Sequence, residues 1–288
     1  MRGLPLARSF DWHAARTRSA PPSLPPPQRT AAAQMRVPLA GGGQETLLSE
    51  VGFVLLPLFT TVEACALRLV CREFLAAVTE HPWEDRGTVI QGSIAAWRAC
   101  FPHARCANVR KWNMDDEAAI RAAHVVDADF VHFEGLRELY MAGCEDVTDA
   151  AYLHLRGIHT LDMGWCYQDT ITDAAFAHLA GIERLSIRFC NQATITDAAF
   201  AHLRGVKLLN MSYCTQLTGA AFVHLRGIHT LQMSSCDQPT ITDAAFAHLQ
   251  GVRVLGMRDC RHDSVAAARS LGLPVGAFLS ECYSLCPP

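Results

Sequence analysis

The sequence predicts an α/β solenoid, with short parallel strands on one side and short helices on the other, preceded by a small all-α unit. Three observations lead there. Cys144, Cys166, Cys190, Cys214, Cys236 and Cys260 recur every 22 or 24 residues, each three residues after a Leu-x-Met or Leu-x-Ile pair. Within each unit the apolar period changes from two to roughly helical, which is how a short strand followed by a short helix reads. A unit of that length cannot bury its own apolar face and must stack on copies of itself.

The third unit shows how each part is justified. Leu185 and Ile187 alternate with Ser186 and Arg188, so the first pair faces a core and the second pair faces away from it. Thr196 or Asp197 caps the helical run Ala198 to Leu203, Gly205 closes it, and Phe200 and Leu203 share its buried stripe. The spelling Leu-x-Leu-x-x-Cys, followed by Thr-Asp and a short helix, covers Val126 to Cys260 in six consecutive copies and resembles the cysteine-containing class of leucine-rich repeat. The resemblance implies a curved parallel sheet inside and short helices outside. The chain departs from the pattern at Gly219, where Asp is usual, and places Met at the second leucine position in five of six units.

Composition narrows the function. Six of the twelve cysteines sit at one repeated position and no secretory apolar segment lies near Met1, so reduced thiols in the cytoplasm or nucleus are expected rather than a disulfide framework. A net charge of −3 offers no basic field for nucleic acid. Val51 to Phe59, the longest strongly apolar stretch, contains Gly52 and Pro57 and is too short to cross a bilayer. Residues 1–44 are rich in Pro, Ala, Arg and Gly with Asp11 the only acidic residue, which predicts a disordered tail; PPSLPPP does not sustain the amphipathic helix of a transit peptide.

Residues 45–86 read as a compact helical unit in which Leu67, Val70, Cys71 and Phe74 fall at helical offsets. Such a unit is small for an independent core and depends on a neighbour or partner. LRLVCREF, from Leu67 to Phe74 and including Leu69, followed by Trp83, resembles an F-box, and Leu47, Glu50 and Val51 fit its opening helix. Leu48 stands where the family has Pro, and Gly52 interrupts the first helix. An F-box upstream of such repeats implies a non-catalytic substrate receptor of an SCF ubiquitin ligase. In that family the F-box docks the Skp adaptor, which hangs from the cullin scaffold, and the repeats hold a protein target. The alternative is a stand-alone leucine-rich-repeat binding module in which Leu47 to Trp83 only caps the solenoid.

Residues 87–125 are a linker and cap, in which Ile94, Trp97 and Phe101 share a helical face and Val109, Trp112 and Met114 form a degenerate first strand. The repeats fill 126–272, with a closing helix at Val265 to Leu271, and 273–288 is a C-terminal tail.

Catalysis, metals and cofactors find little support. The chain carries a Cys and a His in most units, including His154, His178, His202, His224 and His248. The cysteine ends a strand while the histidine sits on the following helix, and no C-x-x-C exists to deliver paired zinc ligands. A Cys–His nucleophile requires one distinguished pair with an orienting third group, which repetition argues against. Gly41, Gly42 and Gly43 lack the strand and lysine of a phosphate loop.

The positions that differ between units are the candidates for binding a protein partner. Outward strand positions include Tyr140, Asp162, Ser186, Asn210, Gln232 and Gly256, and then Arg188 and Arg258. The column before each cysteine runs Gly143, Trp165, Phe189, Tyr213, Ser235 and Asp259. Three successive aromatics there predict a strip of rings at the centre of a binding surface.

Overall fold

The computed structural model describes residues 9–11, 55–111 and 123–276. The predicted disordered tail and the C-terminal tail lie outside them, apart from a strand β1 (Ser9–Asp11) that pairs in parallel with β2 (Val89–Gln91), and from residues 273–276.

Helix α1 (Thr61–Leu67) starts in a reciprocal cap, in which the Glu63 amide donates to the Thr60 hydroxyl and the Thr60 amide donates to the Glu63 carboxylate at 2.9 Å. The chain leaves α1 through Leu69 N–H to Ala66 O and Val70 N–H to Leu67 O, and extended Cys71 begins α2 (Arg72–Glu80). The predicted stripe of Leu67, Val70, Cys71 and Phe74 is therefore split between two helices. The break lets Ala64 and Cys65 of α1 and Val78 of α2 reach one core, and tertiary packing of this kind overrides local periodicity. Helix α3 (Ile94–Cys100) buries Ile94 and Trp97, with Phe101 just beyond its end, as the sequence predicts.

The spine is an eight-stranded parallel sheet in chain order. Its strands are β3 (Cys106–Asn108), β4 (Glu138–Tyr140), β5 (Thr160–Asp162), β6 (Arg184–Ser186), β7 (Leu208–Asn210), β8 (Thr230–Gln232), β9 (Val254–Gly256) and β10 (Val275–Gly276). Leu139, Leu161, Leu185, Leu209, Leu231 and Leu255 stand in one register column and are fully buried. Strand β3 lies upstream of residue 126, within the segment expected to cap the repeats. The degenerate strand was expected further on; Val109 is buried beside β3, whereas Trp112 and Met114 lie outside the described residues.

The return segments are shorter than true α-helices. Only α4 (Asp173–Phe176) and α5 (Asp243–Phe246) are α-helical, each one turn long, while Asp149–Leu155, Asp197–Leu203 and Gly219–Leu225 are 3-10 helices. Thr148, Thr172, Thr196 and Thr218 cap them by accepting a hydrogen bond from the amide two residues on. Helix α6 (His262–Ser270) closes the stack.

Polar ladders join the coils as regularly as the apolar columns do. Asp127 accepts from the amide and hydroxyl of Thr148, Asp149 from those of Thr172, Asp173 from those of Thr196 and Asp197 from those of Thr218. The next rung is missing because Gly219 has no carboxylate. A Cβ there would lie 2.8 Å from the Thr240 carbonyl oxygen and 2.9 Å from Ala245 Cβ, so the following coil packs where a side chain would stand.

The cysteine thiols form the second ladder, each donating to a carbonyl of the preceding coil: Cys190 to Met163 at 3.2 Å, Cys214 to Ile187 at 3.0 Å and Cys236 to Met211 at 3.2 Å. All six are free; Cys144 to Cys236 are buried and Cys260 is half-buried. Burial pushes the thiols of Cys144 and Cys236 up to about 12 and those of Cys166, Cys190 and Cys214 well above the usual range. A third ladder escaped the sequence reading. Gln168, Gln192, Gln216 and Gln238 each donate an amide N–H to the cysteine carbonyl one coil back at 2.8–3.0 Å. Its signal was a Gln two residues after each of four cysteines.

The helical unit and the repeats share one apolar core that runs from Leu56 to Leu273. Among the described residues no helix is long and apolar enough to cross a membrane.

Candidate binding surface

The chain leaves each strand, passes the buried Met or Ile and turns at the residue before the cysteine. Gly143 occupies that turn in the first unit with φ +76, and the corresponding Trp165, Phe189, Tyr213, Ser235 and Asp259 have φ between +56 and +65. A side chain in this left-handed region costs roughly 1–2 kcal/mol, so the surroundings must impose it. They do so through a second run of backbone bonds beyond the strands. Trp165 N–H donates to Arg188 O at 2.7 Å, Phe189 to Ser212 at 3.0 Å, Tyr213 to Ser234 at 2.9 Å and Ser235 to Arg258 at 2.8 Å.

This backbone carries the predicted aromatic strip. Trp165 stacks on Phe189 at 3.7 Å between ring centroids and 20° between planes, and Phe189 stacks on Tyr213 at 4.0 Å and 10°. Both separations are shorter than the roughly 4.8 Å between strands, so the rings lean together. All three are half-buried, neither core nor fully exposed. The guanidinium of Arg188 lies 4.9 Å from the centre of the Phe189 ring and 5.6 Å from that of Tyr213, which places a cation against the π faces.

A polar cavity opens beside the stack, lined by Arg188, Asn210, Ser212, Tyr213, Ser234, Arg258 and Asp259. It brings together five of the residues that the sequence singled out, Arg188, Asn210, Tyr213, Arg258 and Asp259, while Trp165 and Phe189 continue the stack from Tyr213.

The outward strand column is less accessible than its alternation implies, because side chains on strands this close cover one another. Tyr140 is 1% exposed and packs beside Cys106, with its hydroxyl donating to Glu138 at 2.8 Å. Asp162 is 5% exposed, and its carboxylate accepts from the Gly164 amide at 3.1 Å. Burial raises its pKa, against a lowering by that bond and one from Ser186. Asn210 repeats the arrangement, its side-chain oxygen accepting from the Ser212 amide at 3.1 Å. Tyr140 and Asp162 thus serve the sheet itself, which corrects the expectation that they face outward to bind a protein partner.

On the helical unit Leu69 is 82% and Val70 66% exposed, both in the turn between α1 and α2. Leu67, Cys71 and Phe74 are half-buried. Trp83 is not an accessible contact but a core residue, 2% exposed, with His81 and Phe101 edge-on against its ring and its indole N–H donating to Val78 O at 2.8 Å. Leu47, Glu50 and Val51 lie outside the described residues. Five of the eleven large apolar side chains exposed among the described residues, Leu55, Leu58, Leu69, Val70 and Leu75, belong to this unit, which concentrates unpartnered apolar surface there. Among the described residues, no group of three or more His, Cys, Asp or Glu is placed to hold a metal ion.

The sheet order, the register and the repeated turns make this a parallel α/β solenoid, with one short strand and one short helical segment per coil, the architecture that the repeat spelling leads one to expect. No protein-family model matches the chain, and no curated protein does. Solved structures with a similar chain path include the TLR13–ssRNA13 complex (TM-score 0.44, 17% identity, covering 61% of this chain and 28% of that one). Yeast Rad7 in complex with Elc1 (0.43, 14%, covering 67% and 61%) and the Drosophila Toll–Spatzle complex (0.43, 13%, covering 65% and 29%) are similar to the same degree. The chain therefore spans less than two thirds of each of those chains.

Proposed function

We propose that this chain is the substrate-recognition subunit of an SCF-type ubiquitin ligase, a receptor without catalytic residues of its own. The helical unit docks the Skp adaptor, which links it to the cullin scaffold, and the repeats hold a protein target in the cytoplasm or nucleus. The observation that carries this reading is the exposure of Leu69 and Val70 within the segment whose sequence resembles an F-box. A folded chain that turns such residues to solvent has a surface for an apolar partner. On the repeats, the aromatic stack and its flanking arginine have the composition of an interface anchor.

Capture of Skp and cullin subunits by the full chain tests the reading. Leu69→Glu with Val70→Asp should abolish capture, since an unpaired charge would be buried against the adaptor at a cost of several kcal/mol. Both residues are exposed, so the variant should keep the wild-type melting temperature; capture undiminished in a folded variant overturns the proposal. One observation favours the alternative of a stand-alone repeat module capped by this unit: Leu56, Ala64, Val78 and Trp83 belong to the same core as the repeats. On that reading the wild-type chain captures neither subunit.

A further inference from the structure

The cavity beside the aromatic stack has a chemistry of its own. Its lining comprises two arginines, Arg188 and Arg258, an amide, Asn210, two serines, Ser212 and Ser234, the phenol Tyr213 and one carboxylate, Asp259. The Ser212 hydroxyl accepts from the Ser234 amide at 3.2 Å. Ser234 is 3% exposed, yet its hydroxyl has no hydrogen-bond partner among the described residues. A buried hydroxyl without a partner costs free energy, and a ligand oxygen that accepts from it recovers that cost.

The cations are arranged differently from each other. Arg188 is held across the Phe189 and Tyr213 rings, which leaves its planar fork pre-oriented. Arg258 is exposed and its Nε lies 3.5 Å from Asp259 Oδ2. A contact of that kind at the surface is weak, so an anion entering the cavity competes with Asp259 for Arg258.

We propose that this cavity is an oxyanion subsite, which receives a carboxylate or phosphate group carried by the captured protein while the aromatic strip holds the neighbouring apolar residues. The guanidinium groups of Arg188 and Arg258 and the hydroxyl of Ser234 donate to the oxyanion. The proposal rests on the reading of the repeats as the partner-holding surface and adds the chemical class of group that they recognise.

The test needs no partner. The full chain is titrated with inorganic phosphate, and separately with acetate, at constant ionic strength set with chloride, and apparent affinity is taken from the rise in melting temperature. Loss of one charge-assisted bond corresponds to about a tenfold weakening, so Arg258→Gln and Ser234→Ala should each weaken the response by about that factor. Asp259→Asn removes the competing carboxylate and should strengthen it. A response to phosphate alone assigns the subsite to a phosphorylated partner, and one to acetate alone or to both assigns it to a carboxylate. If the wild-type chain responds to neither anion, or if all three variants respond as the wild type does, the subsite does not exist. That failure would leave the capture of Skp and cullin subunits untouched, so the two readings fail separately.

Discussion

At the scale of single residues, the positive φ of the column before the cysteines separates backbone requirement from side-chain use. The backbone there suits glycine, as Gly143 shows, so a larger residue is kept against a local cost of roughly 1–2 kcal/mol. Ser235 makes no ring contact, and Ser235→Gly should raise stability by about 0.5–1 kcal/mol in urea unfolding, part of the relief being offset by the greater freedom of glycine in the unfolded chain. Phe189→Ala and Trp165→Ala should instead leave stability nearly unchanged and weaken partner binding by about 2 kcal/mol, measured by titration calorimetry with the captured protein. Melting of the solenoid in those variants would place the rings in the core. Asp162 gives a pH test. Burial raises its pKa, so the native state keeps a proton that the unfolded chain has already released, and stability falls as pH rises through that window. Asp162→Asn should therefore be more stable than wild type at neutral pH, with the difference closing once the pH drops below the ordinary carboxylate range. Asn210 already holds the equivalent turn with an amide. The aromatic column was legible in the sequence because it varies while its neighbours repeat. The burial of Tyr140 and Asp162 was not, since alternation reports which way a side chain points and not how closely its neighbours crowd it.

At the scale of elements, the repeat spelling revealed strand, turn and cap, and Thr196 caps the segment that the sequence assigned to it. Two things were hidden. The Thr-Asp pair reads as a capping signal, but its aspartate reaches the next coil, a contact some 21–23 residues away that no local pattern encodes. The Leu67 to Phe74 stripe fitted a helix by spacing and yet spans a break, because packing around Val78 and Trp83 outweighs periodicity. Gly219 makes the difference between pattern and packing measurable. Matching the other units by Gly219→Asp looks like a consensus improvement, but its Cβ would stand 2.8 Å from the Thr240 carbonyl oxygen. The substitution should lower the melting temperature, and a rise would show that the following coil can yield and accept the missing rung.

At the scale of the whole molecule, one core joins the helical unit to the repeats, so the exposed turn at Leu69 and Val70 keeps a fixed position relative to the aromatic stack. Arg86 reinforces the junction by donating two bonds to Glu138 on β4, at 2.5 and 2.6 Å. The sequence indicated that residues 45–86 depend on a neighbour or partner, but not which contacts join them to the repeats, because those through Trp83 and Phe101 are long-range. The thiol ladder is also a property of the assembled stack. Burial and raised pKa leave Cys166, Cys190 and Cys214 with almost no thiolate at neutral pH. Native protein should therefore label slowly at these three sites with iodoacetamide, read by peptide mass spectrometry, and rapidly after unfolding. Fast labelling in the native state would contradict the ladder.

The missing rung at Gly219 has a mechanical meaning. From Asp127 to Thr218 every junction is riveted by an aspartate that spans two coils, and the junction to Thr242 is not. Stretched along its axis, the solenoid should tear first at that seam, between the coils of β7 and β8, releasing β8, α5, β9, β10 and α6 as a flap while the coils that carry the aromatic stack stay wound.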